Sequence, residues 1–157
     1  MIRSLSPRVE AVFWFLLTAT GYYLLASLSL YATKGADNIA AVWPPSGYFL
    51  ALLLLMPDRV RYAAFAAMAL ASVGANISGG VSPLTATAYT VANAVEATIA
   101  LLLIRRFEGA EMSFMAPRAV GRFCVATLSA SAASAVVATA LTANGPDFFL
   151  SWMTTVA

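Results

Sequence analysis

Val42-Trp43-Pro44-Pro45-Ser46-Gly47 interrupts an apolar run, Asn38 to Pro57, that carries no charge over 20 residues. A run of that length is enough to cross a bilayer as a helix. Pro44 and Pro45 cannot donate helical hydrogen bonds, and Pro44 biases Trp43 before it away from the helical region. A continuous helix is therefore not expected. A shorter helix from Ser46 to Met56 is, with Ser46 and Gly47 offering a cap and a permissive backbone. Its 11 residues would cover ~16 Å of a hydrocarbon core ~30 Å thick. Residues 39–43, if extended, would add roughly 16 Å, which puts the break near mid-depth. Non-helical backbone persists there only where it is buried in protein or lines a wet cavity. Broken helices of transporters present their half-helix ends to ligands in this way. The plainer reading is a proline kink, or a helix that starts at the outer interface and runs on past Met56 towards Arg59.

Outward from this stretch, the whole chain has a membrane composition. It is 61% hydrophobic and 10% charged, with a mean hydropathy of +0.82, where soluble domains carry about 25% charged residues. The expected class is all-α, a polytopic transmembrane bundle. Cys124 is the single cysteine, so no intrachain disulfide can form, and its apolar surroundings suit a small packed residue. There is no histidine, which removes His-based metal sites, histidine general bases and the phospho-accepting segment of a histidine kinase. No phosphate-cradling glycine loop, paired catalytic carboxylates, nucleophile elbow or zinc spacing occurs. The expectation is a segment without catalytic residues, without cofactor or metal, and without nucleic acid as partner, since its arginines are scattered over turns.

The spans follow from charge and turn signals. Ala11 to Thr33 is uncharged for 23 residues, longer than the 7–15 apolar residues of a signal peptide. It reads as a retained first span. The second is the Trp-Pro-Pro segment, about 38–57, closed by Pro57 and the charged turn Asp58-Arg59-Val60-Arg61. Tyr62 to Val95 is uncharged for 34 residues, ~51 Å as one helix and too long for one crossing. Ser78-Gly79-Gly80-Val81-Ser82-Pro83 divides it into a third span, about 62–77, and a fourth, about 84–104. A polar connector, Phe107 to Arg118, precedes a fifth span at about 123–143, and Asn144-Gly145-Pro146-Asp147 is a turn. The sixth apolar segment, 148–157, has ten residues, ~15 Å as helix, so the chain is expected to stop inside a span.

Alternation of these spans puts Arg3, Arg8, Arg59, Arg61, Arg105, Arg106, Arg118 and Arg122 on one side and Lys34 on the other. The positive-inside rule makes the arginine side, and with it the amino terminus, cytoplasmic.

Polar residues within the spans are the candidate site. Glu96 is the one carboxylate deep in a span as these are drawn, at a cost of about 2.5–3.5 kcal/mol on insertion scales. Asn93, Tyr89 and Thr85 continue its helical face, and Ser72 and Asn76 form a second stripe on span three. Turned inward, the two stripes would meet near the Trp-Pro-Pro break. They then act either as hydrogen-bonding glue between helices or as a ligand or proton site. Ala63, Ala67 and Ala71, and Ser131, Ala135 and Thr139, are small residues every fourth position, a sign of close helix packing.

With these residues in view, Val42 to Gly47 followed by a leucine-rich helix resembles the opening signature of the bacterial membrane-associated sensor (MASE) domain, first class. Gly74-Ala75-Asn76 is similar to that family's glycine–asparagine element, and Asn93-Ala94-Val95-Glu96 to its Asn-x-x-Glu element. Phe148 to Trp152 resembles the aromatic start of a later span. The resemblance runs in order along essentially the whole chain. It implies about eight spans, of which five and part of a sixth are present. It also implies an input role in signalling proteins whose cytoplasmic domains are histidine kinases, diguanylate cyclases or cyclic-di-GMP phosphodiesterases. It implies no particular ligand, so the signal stays open between a small molecule and a protein, and a homodimer follows only because such outputs usually work in pairs. The reading is a sensory domain of the bacterial inner membrane with a pocket lined by Trp43, Pro44, Pro45, Ser46, Gly47, Asn76, Tyr89, Asn93 and Glu96. The competing readings are a small-molecule transporter or its membrane substrate-binding subunit, and a bundle serving only as anchor or docking partner.

Overall fold

The computed structural model of the chain describes residues 6–33, 42–108 and 117–142. All regular structure among them is helical. The helices are α1 (Pro7–Thr33), α2 (Pro44–Leu55), α3 (Arg61–Ser78), α4 (Pro83–Glu108) and α5 (Pro117–Thr142), with a 3₁₀ turn at Asp58–Val60. Four stretches are long and apolar enough to cross a membrane, and α2 is a shorter apolar helix. The expected sixth segment, 148–157, and the middle of the connector lie outside the described residues.

Four of the five helices begin on a proline: Pro7, Pro44, Pro83 and Pro117. At the first helical position the missing N–H would have had no partner anyway, and the fixed φ suits the helix. Serine caps two of them. Ser82 Oγ accepts from Thr85 N–H at 3.2 Å and pairs with Thr85 Oγ1 at 2.9 Å. Ser6 Oγ accepts more weakly from Val9 N–H at 3.5 Å. These starts move two expected boundaries. α1 begins one turn before Ala11 and takes in Glu10; α5 begins at Pro117 rather than Phe123 and takes in Arg118 and Arg122.

The helix ends are closed as carefully. α3 ends in a Schellman motif: Val81 N–H bonds Asn76 C=O, and Gly80 N–H bonds Ile77 C=O, each at 3.0 Å. Gly80 takes φ 90°, the left-handed conformation this motif requires. α2 stops at Leu55 and does not run on to Arg59. Arg61 reaches back to donate from Nε and Nη2 to the Leu53 carbonyl at 3.3 and 3.1 Å, and pairs with Asp58 at 2.9 Å. The exposed carbonyls that end a helix are thus met by a side chain from the next element.

The chain forms two compact units, Met1–Thr90 and Val91–Ala157, with the boundary inside α4. In the first unit α1 packs on α3 and α2. The buried face of α1 runs Glu10, Trp14, Thr18, Tyr22, Ala26 and Leu30, every fourth residue, while Val12, Leu16, Leu24 and Leu28 are exposed. α3 buries an alanine stripe, Ala64, Ala67, Ala71 and Ala75. The stripe read from sequence shifts by one at its start, since Ala63 is only half-buried. Small residues on one helix let a neighbour's backbone approach, the usual solution where lipid supplies no hydrophobic drive. Tyr22, Phe49 and Phe65 tie the three helices together through edge-to-face rings, with centroids 6.2 and 5.1 Å apart.

Tyr48 crosses α1 at Gly21. Its hydroxyl donates to the Leu17 carbonyl at 2.8 Å, and a Cβ on Gly21 would collide with the Tyr48 hydroxyl and ring. Gly21→Val is therefore expected to lower stability by about 1–3 kcal/mol, the usual cost of overpacking. Combining it with Tyr48→Leu should cost less than the sum of the two. Thermal unfolding in detergent micelles measures both, and a Gly21→Val protein as stable as the parent would show the notch is not occupied.

Candidate functional site

The Trp-Pro-Pro break is a helix start. Trp43 is the N-cap residue of α2, with φ −124° and ψ 70° and no side-chain cap hydrogen bond. Pro44 and Pro45 take the first two helical positions. Ser46 is consequently inside the first turn and half-buried, and is not the cap expected from sequence. Pro45 is buried and Pro44 exposed. Gly47 is exposed, and a Cβ added there would meet nothing within 4 Å. Among the described residues the Trp43 indole Nε1 is buried without a hydrogen-bond partner. An unmet buried donor costs about 1–3 kcal/mol, so this group is suited to a hydrogen-bond acceptor arriving from outside the described residues.

Deeper in the first unit, a polar cluster joins α3 to the start of α4. Thr90 Oγ1 lies 2.8 Å from Ser72 Oγ and 2.8 Å from the Ala86 carbonyl. Asn76 Nδ2 donates to the Ser72 carbonyl at 2.9 Å. Ser72, Asn76 and Thr90 are all buried. The expected α3 stripe therefore does face inward. The matching α4 residue is Thr90, whereas Thr85 and Tyr89 are half-buried.

In the second unit α4 and α5 are antiparallel, and side-chain hydrogen bonds join them. Arg122 Nη1 donates to the Phe107 carbonyl at 3.3 Å, Ser131 Oγ to Glu96 Oε1 at 2.6 Å, and Ser134 Oγ to the Ala92 carbonyl at 3.0 Å. Numbers rise along α5 as they fall along α4. Glu96 is half-buried, as is Asn93, and the bond from Ser131 has the length of a hydroxyl donating to a carboxylate. This bond supports the glue role for Glu96 and is also the contact a ligand or proton would have to displace. On α5 the expected stripe holds for Ala135 and Thr139, which are buried, but Ser131 is exposed.

Sequence reasoning misses a second carboxylate. Glu10 is 3% exposed, and Arg59 Nε and Nη2 both donate to its Oε2, at 3.0 and 2.6 Å. The pair fixes the start of α1 to the turn between α2 and α3. Ser6-Pro7 is the available signal, because a serine cap with proline after it starts the helix early enough to include Glu10. Among the described residues no group of three or more His, Cys, Asp or Glu could hold a metal ion.

The MASE1 family model, that of a membrane-associated sensor domain, matches residues 13–157. This is the family named by the Trp-Pro-Pro, Asn76 and Asn93–Glu96 motifs. No curated protein and no solved structure matches the chain.

The Glu96–Ser131 bond makes a measurable prediction. A double-mutant cycle of Glu96→Ala and Ser131→Ala should give a coupling energy of about 0.6 kcal/mol, the mean for hydrogen bonds between membrane helices, and at most ~1.7 kcal/mol. Unfolding in bicelles measures it, and additive effects would show that the bond does not hold α4 to α5.

Proposed function

The chain belongs to the MASE1 family of membrane-associated sensor domains, and from that premise we propose that it is the signal-detecting input module of a bacterial inner-membrane signalling protein. Its output is a cytoplasmic histidine-kinase or cyclic-di-GMP domain, and it works as a homodimer with its amino terminus in the cytoplasm. The family match over residues 13–157 carries this reading. The arginine distribution supports the orientation.

Detection is assigned to two polar places, one in each unit. The first is the start of α2, where Trp43, Pro44, Pro45, Ser46 and Gly47 interrupt the apolar chain, together with Asn76 and Tyr89. The second is the turn of α4 from Asn93 to Glu96. Neither carries a set of groups for bond-making chemistry, which favours binding over catalysis. Both hold polar groups within apolar spans, where hydrogen-bond partners are scarce. A signal acts by binding one helix arrangement better than another, since equal affinity would shift nothing.

A cysteine-accessibility scan of residues 42–47 and 89–96 in membranes, with Cys124 replaced, tests the assignment. Labelling by a polar reagent is expected on one helical face only. Uniform protection would make these residues packing. In the full protein, Glu96→Gln combined with Asn93→Ala is expected to abolish the response while leaving the protein in the membrane, and an intact response would remove the second place from detection.

A further inference from the structure

In the first unit Arg59 is paired with Glu10 and Arg61 with Asp58. In the second, Arg105 and Arg106 lie in the last turn of α4, and Arg118 and Arg122 lie in the opening turns of α5, whose first turn holds no acid. The antiparallel pairing brings all four to the same end, and the Arg122 bond to the Phe107 carbonyl at 3.3 Å fixes that end directly. Arg106 and Arg118 are both exposed and have no carboxylate partner among the described residues. Over residues 105–122 arginines outnumber acids by four to two.

Depth gives this patch its environment. α4 and α5 are 26 residues each, ~39 Å as helix against a hydrocarbon core of ~30 Å. The spare length puts their terminal turns at headgroup level, with the aliphatic stems along the apolar surface and the guanidinium heads at phosphate depth. A guanidinium offers a planar fork of donors that matches two phosphate oxygens, and several at one place favour an anionic headgroup over a zwitterionic one.

We propose that the α4–α5 end bearing Arg106 and Arg118 is a binding surface for anionic phospholipid headgroups, with Arg105 and Arg122 flanking it. The surface couples the sensor to the charge of its membrane, and the inference does not rest on either detection place proposed above. The occupant is a lipid because the patch lies at the end of two membrane-length helices, where the phosphate density of a leaflet is highest.

Native mass spectrometry of the purified chain in nonionic detergent, titrated with phosphatidylglycerol and phosphatidylcholine, tests it. Phosphatidylglycerol should be retained preferentially. Each of Arg106→Gln and Arg118→Gln should weaken that retention about fivefold, and the double variant roughly 30-fold. Arg106→Lys with Arg118→Lys should keep the preference for phosphatidylglycerol but hold it more weakly than the parent, because an ammonium keeps the charge and loses the fork. The single variants keep the test open if the double variant loses its helical circular dichroism. Equal retention of both lipids, or of phosphatidylglycerol by parent and variants alike, would overturn the proposal. So would displacement of phosphatidylglycerol by an equal concentration of inorganic phosphate, which would make the patch a soluble-anion site.

Discussion

The constraint on which the structure depends is that a backbone polar group in hydrocarbon must find its partner within the protein. It explains why the described chain is helical, and also how four of the described helices begin and how α2 and α3 end. Prolines at the starts of α1, α2, α4 and α5 remove N–H groups that would otherwise be orphaned. The Schellman motif after α3 and the Arg61 guanidinium on the Leu53 carbonyl supply partners at the ends. Pro44 and Pro45 fit the same rule. In the middle of a span they would break the hydrogen-bond ladder; at the first two positions of α2 they break nothing.

Packing then follows from what lipid cannot do. Hydrocarbon tails are as apolar as leucine, so leucine on a helix surface gives no reason to associate. α1 accordingly exposes Leu16, Leu24 and Leu28 and buries Glu10, Thr18 and Ala26. α3 offers alanines, and α5 offers Ala126, Ala130, Ser134 and Ala138. The directional contacts are polar: Ser72 with Thr90, Ser131 with Glu96, and Arg59 with Glu10. Each joins elements that small residues have already allowed to come close.

Much of this is legible in the sequence, and the misses share a cause. The apolar helices, the Gly79-Gly80 turn, a break at Pro44-Pro45 and the inward face of Ser72 and Asn76 all follow from local chemistry. Starting α1 and α5 after the last charge overlooks Pro7 and Pro117, which mark those starts better, and it hides Glu10. Thr90 escapes because a helix that is apolar nearly all round has no clear phase. Thr85, Tyr89 and Asn93 look like a polar stripe, yet the burial favours Ala86 and Thr90 beside it. Ser131 cannot be chosen over its neighbours in the Ser129-Ala130-Ser131-Ala132-Ala133-Ser134 run, since only the antiparallel register with α4 selects which serine meets Glu96.

The magnitudes limit how such a domain can switch. Moving a two-state equilibrium from 1:99 to 99:1 takes about 5.5 kcal/mol of differential binding. Displacing one interhelical hydrogen bond of the Glu96–Ser131 kind accounts for about 0.6–1.7 kcal/mol, which is a bias of roughly threefold to eighteenfold. Meeting the unpartnered Trp43 donor would add about 1–3 kcal/mol. Either place alone therefore yields a graded response rather than a switch. A full switch requires a signal that engages more than one polar group, or one whose effect is multiplied by acting on two copies of the chain at once. The scarcity of polar groups inside the spans makes each of them a large fraction of the available differential energy. On the proposed sensing role, Glu96, Ser131 and Trp43 are for that reason better placed to report a signal than the alanine and leucine faces, whose contacts with lipid and with one another differ little in free energy.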